Sequence, residues 1–277
     1  PGTKARPFQT IQRAADLAGP GDVCLIAPGT YRETVTPKRD GSRQAPVVFR
    51  ASGKDAPVIT GAEPVTGWTL HAGNVYKAKM SWSLGGGNQV FFDGRAMQEA
   101  RWPNDRDGDP MTPDGAPIAG GGSDHIVCPQ FPAEWQAGDL KGAVVWAIAG
   151  KAWSSWTRTV SAYDPAGRRV LYPSFEGNWW LDTIHNPKSK KGTFYLVGAM
   201  KLLDAPGEWF YDEPAQTLYF QAPENANPAG HEVEAKARQL GLDLRGRSWI
   251  VVDGIDLRGC TLDTDGAAHC VVRNMRA

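Results

Sequence analysis

Two aspartates near the end of the chain, Asp243 and Asp263, occupy equal positions in the segments "LDLRG" and "LDTDG". Side chains at equal positions on adjacent parallel strands lie about 4.8 Å apart. Carboxyl pairs about 5 Å apart suit retaining hydrolysis of a glycosidic bond, and repulsion between them raises one pKa, as an acid catalyst requires. The sequence therefore predicts Asp243 and Asp263 as a catalytic pair. The alternative is a pair of solvated turn residues balanced by Arg245.

A group of aromatic residues lies in the middle of the chain, within "KAWSSWTRT" and "NWWLDTIH". Exposed tryptophan faces stack on sugar rings, whereas buried ones fill the core of a β-domain. Residues three apart in a strand face opposite sides, so only part of this group can line one surface. The candidate substrate-binding residues are Trp153, Trp156, Trp179, Trp180 and His185.

The segment "NDRDGDP" (104–110) alternates aspartates around Gly108, as the start of a calcium loop does. EF-hand loops require Gly at the sixth position and Glu at the twelfth, where this chain has Pro110 and Ala116. We therefore expect no metal and no cofactor, with calcium in this loop as the remaining alternative. The four cysteines include no C-x-x-C pair, which indicates buried thiols.

Two spacings predict the elements that position these residues. The segment "GDVCLIAPGTYRETV" (21–35) contains two short extended runs, which recur 24 residues later in "APVVFRASGKDAPVITG" (45–61). Near the end of the chain, residues 241–257 align with residues 261–277 at a shift of 20. An amphipathic helix in "RPFQTIQRAADLAGPG" precedes the first of these segments. Short strands at such a period predict stacked strands that share one continuous core.

Three segments carry a resemblance to a known family: "PFQTIQRAADLAGPGDVCLIAPGTYRETV", "VEAKARQLGLDLRGRSWIVVDGIDLRG" and "GEWFYDEPAQTLYF". They resemble the right-handed parallel β-helix (pectate-lyase-like) superfamily, in particular members with an inserted β-domain. The resemblance implies an all-β fold, a right-handed parallel β-helix with an N-terminal capping helix, interrupted by an inserted β-barrel or β-sandwich. The expected domains are the cap helix and first coils in 1–63, the insert in 64–232, and an incomplete return of the β-helix in 233–277.

The same resemblance implies a carbohydrate-active enzyme that acts on a polysaccharide or oligosaccharide. A glycoside hydrolase with paired carboxylates is the expected activity, because the inserted β-domain resembles the hydrolase members more. A polysaccharide lyase, a uronate epimerase, and a non-catalytic β-helix adhesin or glycan-binding surface protein are the alternatives. In that superfamily the reacting groups commonly lie in later coils, which implies that the catalytic residues follow Ala277.

Composition limits the partners. Lys plus Arg and Asp plus Glu number 30 each, so no overall field favours nucleic acid, and no apolar stretch is long enough to span a membrane. The expected partner is a carbohydrate polymer. The apolar strand edge at 271–277 predicts a cover, either a missing C-terminal part of the same chain or another chain. We expect a secreted, periplasmic or cell-surface location, with the signal peptide absent from this chain.

Overall fold

The computed structural model of the protein describes residues 2–106, 109, 112–148, 155–174 and 192–277. Short 3-10 turns lie at Gly85–Gly87, Met200–Leu202, Pro223–Asn225 and Pro228–Gly230. The helix and the strands of the described residues are, in chain order, α1 (Ile11–Leu17), β1 (Val23–Ile26), β2 (Thr30–Tyr31), β3 (Val47–Ala51), β4 (Val58–Thr60), β5 (Ala62–Pro64), β6 (Thr69–Ala72), β7 (Val75–Lys79), β8 (Val90–Phe92), β9 (Arg95–Glu99), β10 (Arg101–Trp102), β11 (Ala116–Pro117), β12 (Gly120–Gly121), β13 (His125–Val127), β14 (Val144–Ile148), β15 (Ser155–Thr159), β16 (Ala162–Asp164), β17 (Arg169–Leu171), β18 (Thr193–Val197), β19 (Glu208–Asp212), β20 (Thr217–Gln221), β21 (Val233–Lys236), β22 (Leu240–Asp243), β23 (Ile250–Asp253), β24 (Asp256–Arg258), β25 (Thr261–Asp263) and β26 (Val271–Arg273).

The chain divides into two compact units, each formed by more than one segment. Unit 1 consists of residues 1–65, 81–94 and 232–277, and unit 2 of residues 66–80 and 95–231. The sequence analysis expected domains at 1–63, 64–232 and 233–277, and these boundaries stay a prediction. The two units describe compactness, and a compact unit is not by that fact a domain that folds independently. No helix among the described residues is long and apolar enough to cross a membrane.

The helix of unit 1 forms where the sequence predicts one, and two side chains fix its start. The Thr10 hydroxyl accepts a backbone N–H of the first turn, and the carboxylate of Glu33 accepts the N–H groups of Ile11 and Gln12 at 2.8 Å each. These oxygens satisfy N–H groups that have no partner within a helix. Ile11 and Ala15, four apart on one face, are buried in the core of unit 1.

Unit 1 contains three small parallel sheets, of strand order β1-β3-β23-β26, β2-β4-β24 and β22-β25. Val251 of β23 pairs with Val271, as the shift of 20 predicts. Val23 of β1 pairs with Val48, a step of 25 rather than 24. Strands β5 and β8 flank β21 in antiparallel pairs. The apolar side chains of the parallel strands share one core with the helix.

Unit 2 is built mainly from antiparallel strands. One sheet has the order β10-β18-β14-β15 with β11 also on β18, a second has the order β12-β13-β17-β16, and five further strands follow the order β9-β19-β20-β7-β6. Only the pair of β9 and β19 is parallel among the described strand pairs of this unit. The core contains many aromatic side chains, among them Phe131, Trp135, Tyr163 and Phe194. Ring pairs such as Phe131 and Tyr163, 5.4 Å apart between centroids, pack edge to face.

The predicted fold class needs a correction. The protein is all-β, but a right-handed parallel β-helix with a capping helix and an inserted barrel or sandwich is wrong. Of the six sheets that the described strands form, three short ones in unit 1, of four, three and two strands, are parallel, and the other three are mixed or antiparallel. The spacing of 20 indicates the parallel pairs at the end of the chain, whereas the described strand pairs of unit 2 are antiparallel except for β9 and β19.

Candidate functional site

A cleft of about 220 Å³ in unit 2 brings charged, polar and aromatic side chains together. Convergent polar groups around a concave, partly apolar site are typical of binding and catalytic sites. Strands β9, β10 and β18 supply most of its wall. The lining residues are Gln98, Glu99, Arg101, Asp105, Pro113, Tyr195 and Val197.

Strand alternation directs these side chains into the cleft. Glu99 and Arg101 are two apart and both line it, as do Tyr195 and Val197 on β18. The residues between and beside them point into the apolar core. These core residues are Ala100, Phe194 and Leu196, each fully buried. The local sequence therefore separates a core face from a cleft face residue by residue.

Glu99 presents its carboxyl group to the cleft. Among the described residues no side chain or backbone group donates a hydrogen bond to its carboxyl or forms an ion pair with it. Burial raises its pKa, because the charged form is poorly solvated. Gly198, at φ +77°, leaves room for the carboxyl, since a Cβ there would lie 2.9 Å from Glu99 Oε1. The Glu99 carboxyl can therefore donate a hydrogen bond to a ligand when it is protonated, or accept one when it is ionised.

Arg101 carries the positive charge of the cleft and is only 2% exposed. Its Nη1 lies 3.4 Å from Asp105 Oδ2, and its Nη2 donates to the carbonyl of Asp114. Its Nε finds no hydrogen-bond partner in the part of the chain that the structure describes. A buried guanidinium needs such pairing, and Asp105 supplies the compensating charge. One N–H donor of Arg101 is left over.

Arg101 also begins a row of flat groups across the sheet. Its guanidinium carbon lies 4.4 Å from the centroid of the Tyr195 ring. Tyr195 pairs directly with Trp146 of β14, and the two rings are stacked with centroids 4.8 Å apart at an interplanar angle of 21°. Both rings are partly exposed. The guanidinium and the indole cover opposite faces of the Tyr195 ring, so Trp146 is the ring of this row that can receive the apolar face of a ligand ring.

Glu208 binds the backbone of the strand that carries Arg101. Its carboxyl accepts the backbone N–H of Arg101 at 3.3 Å and those of Asp204 and Ala205 at 3.2 Å each. The side chain is nearly fully buried, and burial raises the pKa of Glu208 to about 7 although the three N–H groups favour the charged form. Glu208 fixes the start of β10 and is a positioning residue.

The predicted catalytic pair lies in unit 1, in register on β22 and β25. Arg245 bonds Asp243 bidentately, with Nη2 2.6 Å from Oδ2, and its Nε lies 3.6 Å from Asp263 Oδ2. The hydrogen bond from Arg245 holds the pKa of Asp243 below its usual range. The register agrees with the sequence analysis, but the raised pKa expected from like-charge repulsion is not found at Asp243.

The predicted aromatic group is largely beyond what can be described. Trp153, Trp179, Trp180 and His185 lie outside the described residues. Trp156 is 7% exposed, and its ring packs 5.3 Å from that of Tyr172 in the core of unit 2. The structure therefore places Trp156 among core side chains.

The sequence analysis missed the cleft, although one weak signal was present. In "MQEARW" (97–102) a glutamate and an arginine flank an alanine, which is the alternation of a strand with one polar face. Asp105, noted in the sequence as part of a candidate calcium loop, pairs with Arg101. Tyr195, which contacts Arg101, is 94 positions away from it in the sequence, so spacing alone could not bring the two together.

Comparison with known proteins adds two family matches. Residues 165–223 match the GH141 insertion domain. This range includes Tyr195 and Val197 of the cleft and also Glu208. Residues 1–38 match a second family, described as a protein of unknown function (DUF1565).

Similarity to individual proteins is partial. The uncharacterized protein YwoF of Bacillus subtilis (strain 168) is 38% identical over 60 residues, which cover 22% of this chain and 13% of that protein. A solved structure titled "Glycoside hydrolase" aligns with a TM-score of 0.74 at 19% identity, over 94% of this chain and 48% of the other. A structure titled "The complex structure of XylC with xylose" aligns with a TM-score of 0.49 at 18% identity, over 96% and 34%. The chain thus shares its fold with a structure of which it spans about half.

Proposed function

We propose that the protein is a glycoside hydrolase that acts on a polysaccharide or oligosaccharide, and that the cleft of unit 2 binds the saccharide. The observation that carries this proposal is the match of residues 165–223 to the GH141 insertion domain, because that range supplies Tyr195 to the cleft. The fold shared with the structure titled "Glycoside hydrolase" supports it. Secretion, or a periplasmic or cell-surface location, is part of the proposal, since polysaccharides are extracellular substrates.

The chemistry of the cleft suits a sugar. Sugar hydroxyls both donate and accept hydrogen bonds, and the side chains of Glu99 and Gln98 offer both functions. The indole of Trp146 offers a flat apolar surface for the C–H face of a sugar ring, because both faces of the Tyr195 ring are covered by Arg101 and Trp146. Arg101 is already desolvated in the free protein and Glu99 is partly buried, so binding requires less further loss of water from them.

For the reacting groups we propose the pair in unit 1. Asp243, which Arg245 keeps ionised, suits the role of nucleophile, and Asp263 suits the role of acid. Changing either to Asn should lower kcat by about 100-fold or more, since a general acid or nucleophile contributes at least that much. Asp265→Asn, an exposed neighbour, is the matched control. Unchanged kcat in both variants would place the reacting carboxyls elsewhere.

The test of the activity is an assay of product chemistry. The purified full-length protein is incubated with a panel of neutral and acidic polysaccharides. New reducing ends without a new carbon–carbon double bond are expected for a hydrolase. A double bond in the product would identify a lyase, and binding without cleavage of any polymer would favour a non-catalytic glycan-binding protein.

A further inference from the structure

We infer that the cleft of unit 2 accepts one uncharged sugar ring and rejects a uronate, an inference that rests on the proposed saccharide binding.

The pairing of charges in the cleft disfavours a uronate. Arg101 is the only cation among the lining residues, and the Asp105 carboxylate lies 3.4 Å from it. Asp105 is itself 3% exposed, so this pair is shielded from water and strongly coupled. A uronate carboxylate entering the cleft would have to compete with Asp105 for Arg101. The described cleft holds no second cation to bind it.

The carboxyl of Glu99 also disfavours a uronate. It lines the same cleft, has no cationic partner among the described residues, and lies against Gly198. A second carboxylate beside it would add like-charge repulsion in a desolvated site, which costs more than the same contact in water. A hydroxyl group meets no such cost. It can accept from the protonated acid or donate to the carboxylate.

The volume of the cleft and the rings beside it limit which ligand fits. The cleft volume of about 220 Å³ is below the range of about 300–1,000 Å³ that holds a drug-sized ligand, so it fits a single small ring. The stacked rings of Tyr195 and Trp146 extend the wall on one side. The indole of Trp146 is the part of this wall that receives the next sugar of a neutral chain face to face, since both faces of the Tyr195 ring are covered. The geometry therefore selects a pyranose or furanose ring with hydroxyl substituents.

The test is calorimetric titration of the full-length protein with neutral hexasaccharides (cello-, manno- and xylohexaose) and with hexagalacturonate. We expect at least one neutral ligand to bind and hexagalacturonate not to bind. Trp146→Ala should weaken neutral binding at least 10-fold. The matched control is Trp249→Ala, which removes a similarly stacked indole, 4.2 Å from His269, in unit 1 and should change binding less than 2-fold.

A second pair of variants tests the charge argument. Asp105→Asn frees Arg101 and should create measurable binding of hexagalacturonate. Because Asp105 is buried and its variant could fail to fold, Glu99→Gln serves as the second variant: it removes the carboxylate that repels a uronate and should likewise permit measurable binding of hexagalacturonate. Binding of hexagalacturonate to the unaltered protein that is lost in Trp146→Ala would overturn the inference. So would the absence of binding by every neutral ligand, whereas neutral binding without cleavage would overturn only the proposed hydrolase activity.

Discussion

Two glutamates, one in each unit, have opposite surroundings. Glu234 of unit 1 is fully buried between two arginines, with Oε1 2.6 Å from Arg32 Nη2 and Oε2 2.8 Å from Arg258 Nη2. Glu99 of unit 2 has no cation or hydrogen-bond donor among the described residues, and its pKa is raised by burial. A glutamate with both oxygens paired holds its unit together. A glutamate that lines a cleft and has no partner among the described residues is available to a ligand.

The first prediction tests the structural side of this comparison and has the largest expected effect. Glu234→Ala leaves Arg32 and Arg258 without their shared carboxylate and should lower the free energy of unfolding by about 3–5 kcal/mol. Glu99→Ala removes no partner and should cost less than about 1 kcal/mol. Urea unfolding of both variants measures the difference. Similar losses in the two variants would mean that the two glutamates do not differ in role.

The second prediction concerns Glu208, the buried support of the cleft. Its pKa rises from an ordinary value of 4.5 to about 7 on folding, so the folded protein binds this proton more tightly. The stability that this provides is fully present below pH 4.5 and is lost as the pH rises to about 7, by about 3 kcal/mol. Glu208→Gln should flatten this part of the stability profile.

The control for Glu208 must allow for Glu99, whose raised pKa acts in the same direction. We therefore propose the measurement in a Glu99→Gln background, with the exposed Glu213→Gln as the matched variant. An unaltered slope between pH 4.5 and 7 in Glu208→Gln would show that Glu208 does not titrate in this range.

The third prediction narrows the space around the free carboxyl. Gly198→Ala places a methyl group against Glu99 Oε1 and forces a non-glycine residue to φ +77°. The backbone strain alone should cost about 1–2 kcal/mol. Saccharide binding should fall as well, because the carboxyl must move. Gly142→Ala, also at positive φ but with open space around it, is the control for strain without contact. Equal saccharide affinity in both variants would separate Glu99 from the binding site.

The smallest expected effect is at the aspartates of unit 1. Arg245 is about half exposed, so its ion pair with Asp243 is screened by water and contributes less than about 1 kcal/mol to stability. Asp243→Asn should therefore unfold within that margin of the unaltered protein in urea. A loss of several kcal/mol would make this pair a structural element comparable to Glu234.

The sequence predicted local features better than long-range ones. The start of the helix and the pairing of Val251 with Val271 follow from apolar spacing, because neighbouring segments show their pairing in the sequence itself. Val35, in the segment whose extended runs recur 24 residues later, instead bridges to Leu242 more than 200 positions away. Such contacts leave no local period, and for this reason the fold class was wrong.

The cleft was beyond sequence analysis for the same physical reason. Glu99 and Arg101 become a recognisable pair only when β18 brings Tyr195 beside them, and the raised pKa of Glu99 depends on burial by distant residues. Aspartates at regular spacing, in contrast, were conspicuous in the sequence. At Asp243 they proved to be paired with a nearby arginine.

The most direct test of the central claim, that the free carboxyl at the cleft binds saccharide, is a crystal structure of the full-length protein soaked with a neutral hexasaccharide that it binds. We predict one sugar ring within hydrogen-bond distance of Glu99, and a sugar ring face against Trp146. A saccharide ordered elsewhere in the protein, with the cleft free of it, would contradict the account.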